Sequence, residues 1–263
     1  IESPRLLVDK LITYIKIQSL FFCKGITMKK VILAAAIAVA TSAACADSSV
    51  VMKVQGKMNN ASCTPELSNG GSINFGTIAL DQLSPTQTNQ MGQKDMSLTI
   101  RCPSPTKVAW SIADNKEDSN AAAHLSSSEF YIRDAMDNGN DAWGAGTTYG
   151  VGKTDAGENI GAYAISTRIN EVTANGMPAQ VIYAPAYTNA KGEYMWRNLS
   201  TGVIANGNAE IETATTPGKM SPLAVTNVVY PFKVSLAIVN TNRLTTTDEA
   251  QLSGETTITL IYL

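Results

Sequence analysis

Of the 263 residues, 20 are Lys or Arg, 22 are Asp or Glu and one is His. Residues 1–46 hold six of the basic and two of the acidic side chains, which leaves 14 against 20, a formal −6, in residues 47–263. That balance argues against a nucleic-acid partner, which requires clustered positive charge, and four cysteines with one histidine are poor material for a metal centre.

Residues 1–27 precede a full secretory signal and are read as upstream sequence or a misplaced start. Met28-Lys-Lys30, the apolar run 31–40 and the small residues Ala44-Cys-Ala46 form that signal, residues 28–46, and predict export of a chain beginning at Asp47. Cys45 offers a rival reading as a lipidated first residue. Such a site takes a large aliphatic three positions earlier, and here that position is Ser42.

Residues 47–58 read as a strand, because Val50, Met52, Val54 and Met58 alternate with Val51, Lys53, Gln55 and Lys57 while Gly56 holds the remaining apolar-side position. Cys63 follows, and Pro65 is expected to stop further pairing on that side. Residues 66–71 read as a turn, 72–75 as a short strand ended by Gly76, and the polar stretch 81–94 as a loop. Met96, Leu98 and Ile100 alternate up to Cys102, Pro103 and Pro105 then turn the chain, and Val108, Trp110 and Ile112 mark another strand. The run Asn120-Ala-Ala-Ala-His124 suits a turn of helix, and residues 130–132 a short strand.

From Gly139 to Gly218 lie 12 of the 19 glycines, a density that marks turns and bulges between short strands, among them Tyr163, Ile165 and Ile169, and residues 179–183. A clean alternation follows at Val228, Tyr230, Phe232, Val234, Leu236 and Ile238. Residues 245–252 read as a polar loop, and Ile258, Leu260 and Tyr262 alternate in the final strand. Many short strands with Gly and Pro turns, and no sustained helical period, predict an all-β sandwich across 59–263.

Cys63 and Cys102 are the cysteines left after the signal, and in an oxidising compartment they read most simply as one disulfide, with two free thiols as the alternative. Closing the intervening loop stabilises such a fold by about 3–4 kcal/mol on a chain-entropy account. Catalysis finds little support. His124 sits beside alanines, no Gly-x-Ser-x-Gly elbow is present, and Tyr149-Gly-Val-Gly-Lys153 has the wrong spacing for a phosphate loop. No enzyme, metal or cofactor is expected. Nine aromatics from Phe130 to Trp196 could form a glycan-binding face; core filling is the preferred reading.

The strand carrying Gly56, Cys63 seven residues on, the stretch Ile73-Asn-Phe-Gly76, Cys102 at a strand end and the penultimate Tyr262 resemble, in order and spacing, subunits of chaperone–usher fimbriae, the pilins. Ala61-Ser-Cys-Thr-Pro65, Tyr149-Gly-Val-Gly152, Ile160-Gly-Ala-Tyr163 and Thr257-Ile-Thr-Leu-Ile-Tyr-Leu263 are similar to a longer subclass of periplasmic fimbrial-like proteins, one of them linked to the glutamate synthase operon. The resemblance spans most of residues 47–263. It implies an immunoglobulin-like sandwich lacking its last strand, with a Gly-rich insertion. The gap would be filled first by a periplasmic chaperone and then, at an outer-membrane usher, by the N-terminal strand of a neighbouring subunit. Val50, Met52 and Val54 would be the donor side chains; Ile258, Leu260 and Tyr262 would line the gap, and the Leu263 carboxylate would anchor to the chaperone. The implied function is an exported structural subunit of the periplasm or a cell-surface fimbria. The alternative is a periplasmic or surface binding protein of the same fold that never polymerises, adhesin-like, with a host or surface glycan as its partner.

Overall fold

The hydrophobic alternation at residues 96–100, 108–112 and 228–238 builds the two longest strands of the protein, and the rest of the fold hangs on them. The computed structural model describes residues 62–244 and 250–263, within a unit of Lys57–Leu263. The strands are β1 (Thr64–Leu67), β2 (Asn89–Asp114), β3 (Tyr149–Gly150), β4 (Gly161–Thr167), β5 (Thr173–Ala174), β6 (Met177–Pro178), β7 (Gln180–Pro185), β8 (Arg197–Asn198), β9 (Glu210–Thr215), β10 (Ala224–Ile238) and β11 (Thr256–Tyr262). All pair antiparallel. Together they form an immunoglobulin-like β-sandwich.

One layer runs β3-β4-β10-β2-β1, with the small β5–β6 hairpin also on β10; the other runs β11-β2-β9-β7-β8. Strand β2 serves both. Its first half pairs with β10 and its second half with β11 and β9. The crossing is where Pro103 and Pro105 sit. Val225 pairs with Thr106 and Asn227 with Arg101, so four residues of β2 pass opposite one of β10. Proline has no N–H to give a ladder, so pairing with β10 lapses here and returns only at Thr106 and Lys107 before β2 enters the second layer. The prolines therefore bend one strand between layers and do not reverse the chain.

Between the layers, Met96, Leu98, Ile100, Trp110, Ile112, Tyr230, Phe232 and Val234 form the main core. Trp110 is fully buried, with ring centroids 5.5 Å from both Tyr230 and Phe232. The expected disulfide is present between Cys63 and Cys102. It ties β1 to β2 at the register Thr64 opposite Arg101.

Several boundaries differ from the sequence-based expectation. The stretch 81–94 is a loop only up to residue 88: after the 3₁₀ turn Leu80–Gln82, β2 starts at Asn89. Its polarity has another cause, since Gln90 and Gln93 donate to the Tyr131 and Asp134 carbonyls at 2.9 and 2.8 Å. Gly92, with φ 82°, sits in a bulge where two residues of β2 face one of β10. The turn expected at 66–71 is shorter, because β1 runs to Leu67 before the 3₁₀ turn Ser68–Gly71. Residues 72–75 form no strand, and 130–132 contribute a single bridge, Ile132 to Ala142. The turn of helix near Ala121 is a pair of 3₁₀ turns, Glu117–Ser119 and Ala121–Ala123. The proposed strand at 47–58, the signal at 28–46 and part of the 245–252 loop lie outside the described residues.

Candidate functional site

Alternation in β10 aims Phe232, Val234 and Leu236 inward, and the corresponding alternation in β11 aims Ile258 and Leu260 toward the same core. Between these strands the sandwich is open. A hollow of about 270 Å³ is floored by Met96, Phe232, Val234, Leu236 and Ile112. Its rims are Ile73 and Phe75 on one side and Leu252, Thr256 and Ile258 on the other. A second hollow of about 330 Å³ shares Ile73, Phe75 and Leu252 and continues past Ile78, Leu80 and Leu83 to Ile160, Ile238 and Leu244. The two make one apolar groove along the sandwich.

The absence of a strand at 72–75 now has a physical reason. Ile73 and Phe75 still alternate with exposed Asn74 and Gly76, as strand residues do, yet no described backbone pairs with them. The place where a neighbouring strand would lie is the groove itself. Among the described residues β11 pairs only with β2, from Thr256 opposite Asp114 to Tyr262 opposite Val108. Groove and sheet edge therefore coincide.

The structure places Ile258 in the groove wall and packs Leu260 against the main core beside it. Tyr262 is 51% exposed and lies beyond the groove lining at the end of β11, where its hydroxyl accepts the Cys63 backbone N–H at 2.7 Å. Leu263 is also exposed, and its N–H donates to the Lys107 carbonyl at 3.1 Å. Ile261, on the opposite face, joins Tyr194 and Trp196 over a small cluster of Ala109, Ala184 and Ile211. Val50, Met52 and Val54 lie outside the described residues.

Further lining residues escaped the sequence reading. Val151 and Tyr163 close one end of the groove beside Gly254 and Glu255. Ser253 donates its N–H to the Val151 carbonyl at 2.7 Å, which docks the approach to β11 on the insertion. Gly254 is required there, since a Cβ at this position would fall 2.7 Å from the Tyr163 ring. Burial pushes the Tyr163 phenol well above its ordinary value, and its ring stacks on Tyr149 at 5.2 Å. Asp114, at the start of the β2–β11 ladder, accepts from the Gly150 and Lys116 N–H groups at 2.7 and 2.8 Å; burial nonetheless leaves its carboxyl above the usual range. No periodicity marks Val151, Leu252 or Gly254.

The nine aromatics split among environments. Phe130 and Tyr149 are fully buried, Tyr163 and Tyr183 pack against the core, Tyr194 and Trp196 cover the outer cluster, Tyr131 is half-buried beneath the Arg133 guanidinium, and Trp143 and Tyr187 stand exposed. His124 borders a separate polar hollow, where Lys153 pairs with Asp118 at 3.2 Å and Arg243 reaches Glu129 at 2.6 Å.

A family model described as a protein of unknown function, DUF1120, matches residues 52–164, from ahead of the disulfide into β4. The uncharacterized protein YhcF of Escherichia coli strain K12 is 30% identical over 238 residues, covering 89% of this chain and 98% of that protein. Protein GltF of the same strain is 27% identical over 260 residues, covering 93% of this chain and all of that protein.

Proposed function

The chain belongs to the DUF1120 family of proteins of unknown function, and for it we propose the role of an exported, fimbrial-like structural subunit that is completed by a strand from another polypeptide. The observation that supports this most is the apolar groove between β11 and residues 72–78. A strand laid there would hydrogen-bond the edge of β11 and place alternate side chains over Phe232, Val234 and Leu236. Backbone pairing then supplies affinity, and the hollows supply specificity.

In this reading the signal at 28–46 directs export. A periplasmic chaperone fills the groove first, and at an outer-membrane usher the segment carrying Val50, Met52 and Val54 of a neighbouring subunit replaces it. No catalytic step is proposed. Side-chain register gives the test, because successive strand residues face opposite sides. Subunits carrying Met52→Asp or Lys53→Asp are mixed with wild-type acceptor and chaperone, and SDS-resistant polymer is followed. Polymer should be lost with Met52→Asp and retained with Lys53→Asp. Equal yield from both rejects donation by this segment.

A further inference from the structure

Glu212 is a carboxylate in an unusual place. It lies in β9 opposite Trp110 of β2 and Tyr183 of β7, and is only 4% exposed. Its strand neighbours show which way it faces. Ala214, two residues on, belongs to the core between the layers, while Ile211 belongs to the outer cluster. Glu212 therefore enters the sandwich interior. There its Oε2 accepts from the Thr167 hydroxyl at 3.2 Å, a bond that crosses from β9 in one layer to β4 in the other.

No cation meets it. Among the described residues the ion pairs all lie elsewhere. The groups that act on it are Thr167 from β4, Tyr149 from β3, Tyr230 from β10 and Glu210 from its own strand, the last adding negative charge. The Tyr230 hydroxyl and the Trp110 indole N–H are themselves buried without a hydrogen-bond partner of good geometry. An ionised carboxylate with one neutral donor and no counter-charge is costly in such a site. The site suits a carboxylic acid.

We propose that Glu212 is a proton-binding group of the core, spanning the two layers as a neutral acid, so that mild acid tightens the sandwich and alkali loosens it. The direction follows from linkage. Burial, and secondarily the charge on Glu210, hold the folded carboxyl well above its ordinary value of 4.5, and the Thr167 bond only partly opposes them. Below that ordinary value both folded and unfolded chains carry the proton, and the group adds no pH dependence. As pH rises through it, the unfolded chain releases the proton first, so stability falls until the folded Glu212 also ionises.

Asp114 and Glu210 are raised by burial as well and add to this slope, whereas Glu129 is lowered by its bonds to Ser126 and opposes it. The experiment must therefore be a difference. Urea unfolding of the purified chain is followed between pH 4 and 9 for the wild type and for Glu212→Gln, which keeps the shape and the Thr167 acceptor. One proton changes the unfolding equilibrium by up to about tenfold per pH unit. The wild type should lose that much more per unit across the window than the variant, and the variant should be the more stable protein at pH 8. In parallel, infrared spectra of the folded wild type at neutral pH should show a protonated-carboxyl band that Glu212→Gln lacks. Parallel pH profiles for the two proteins, or no such band in the wild type, overturn the proposal.

Discussion

The stretch of β10 from residue 232 to 238 faces two different neighbours, and each side is closed by different means. Outward, Lys233, Ser235 and Ala237 lie beneath the segment 130–142, which is held by hydrogen bonds to its backbone. The Lys233 ammonium donates to the Asp134 and Met136 carbonyls at 2.9 and 2.7 Å, and Gln90 and Gln93 of the adjoining strand reach the Tyr131 and Asp134 carbonyls. Inward, Phe232, Val234 and Leu236 are large and apolar, yet the rims above them, Ile73, Phe75 and Leu252, are only half-buried. The side with the less hydrophobic residues is the more completely closed. Hydrophobicity sets which residues turn inward; backbone partners decide whether a layer is finished.

The largest expected effect tests how the open side is held. The disulfide fixes β1, which leads into the rim at Ile73, to β2 beneath the groove. Replacing both cysteines by serine releases a crosslink between residues 39 apart in the chain. It should cost about 4 kcal/mol in denaturant unfolding, on the chain-entropy account. If the loss is under half of that, the rim is held by packing alone, and the two sides are closed by similar means.

The closed side is probed by Lys233→Ala. The variant strips the Met136 carbonyl of its donor while Gln93 keeps its bond to the Asp134 carbonyl, and an acceptor left unsatisfied on burial costs about 1–3 kcal/mol. With one partly buried acceptor orphaned, the expected loss is about 1–2 kcal/mol, with new proteolytic cleavage between residues 130 and 142. An unchanged fragmentation pattern would show that Gln90 and Gln93 suffice to hold this segment.

The comparison also explains what could be read from sequence. Strands that bury one face are plain: Leu98 and Ile100, Val228 and Tyr230, and β11 all sit where alternation places them. The disulfide followed from counting cysteines. Polar residues with a structural task were misread, since Asn89, Gln90 and Gln93 look like loop but are strand residues whose side chains bond to backbone far along the chain. Pro103 and Pro105 read as a turn of the chain, whereas they only interrupt pairing within a strand that continues into another layer. Of the site, Ile258 and its alternating partners were legible as one edge. The opposite rim at Ile73 and Phe75 reads as a short strand, because alternation reports which face is buried and not whether a neighbour exists. Leu252, Val151 and Gly254 carry no pattern and become visible only once the chain is folded.

The smallest expected effect is the sharpest test of how the end of β11 is held. Tyr262 continues the inward alternation of Ile258 and Leu260, but its ring is exposed and its hydroxyl accepts the Cys63 N–H at the end of β11. Tyr262→Phe keeps the ring and removes the acceptor. Because that N–H is only partly buried, water can replace the lost partner, and the cost should be about 0.5–1 kcal/mol. Amide hydrogen exchange at Cys63 gives the more telling readout, since protection there should fall while protection along the β2–β11 ladder stays. A uniform loss along β11 would mean that Tyr262 anchors the whole strand, making the edge beside the groove a conditional structure rather than a finished one. Loss confined to Cys63 would leave β11 as a fixed edge, ready for a partner without rearrangement.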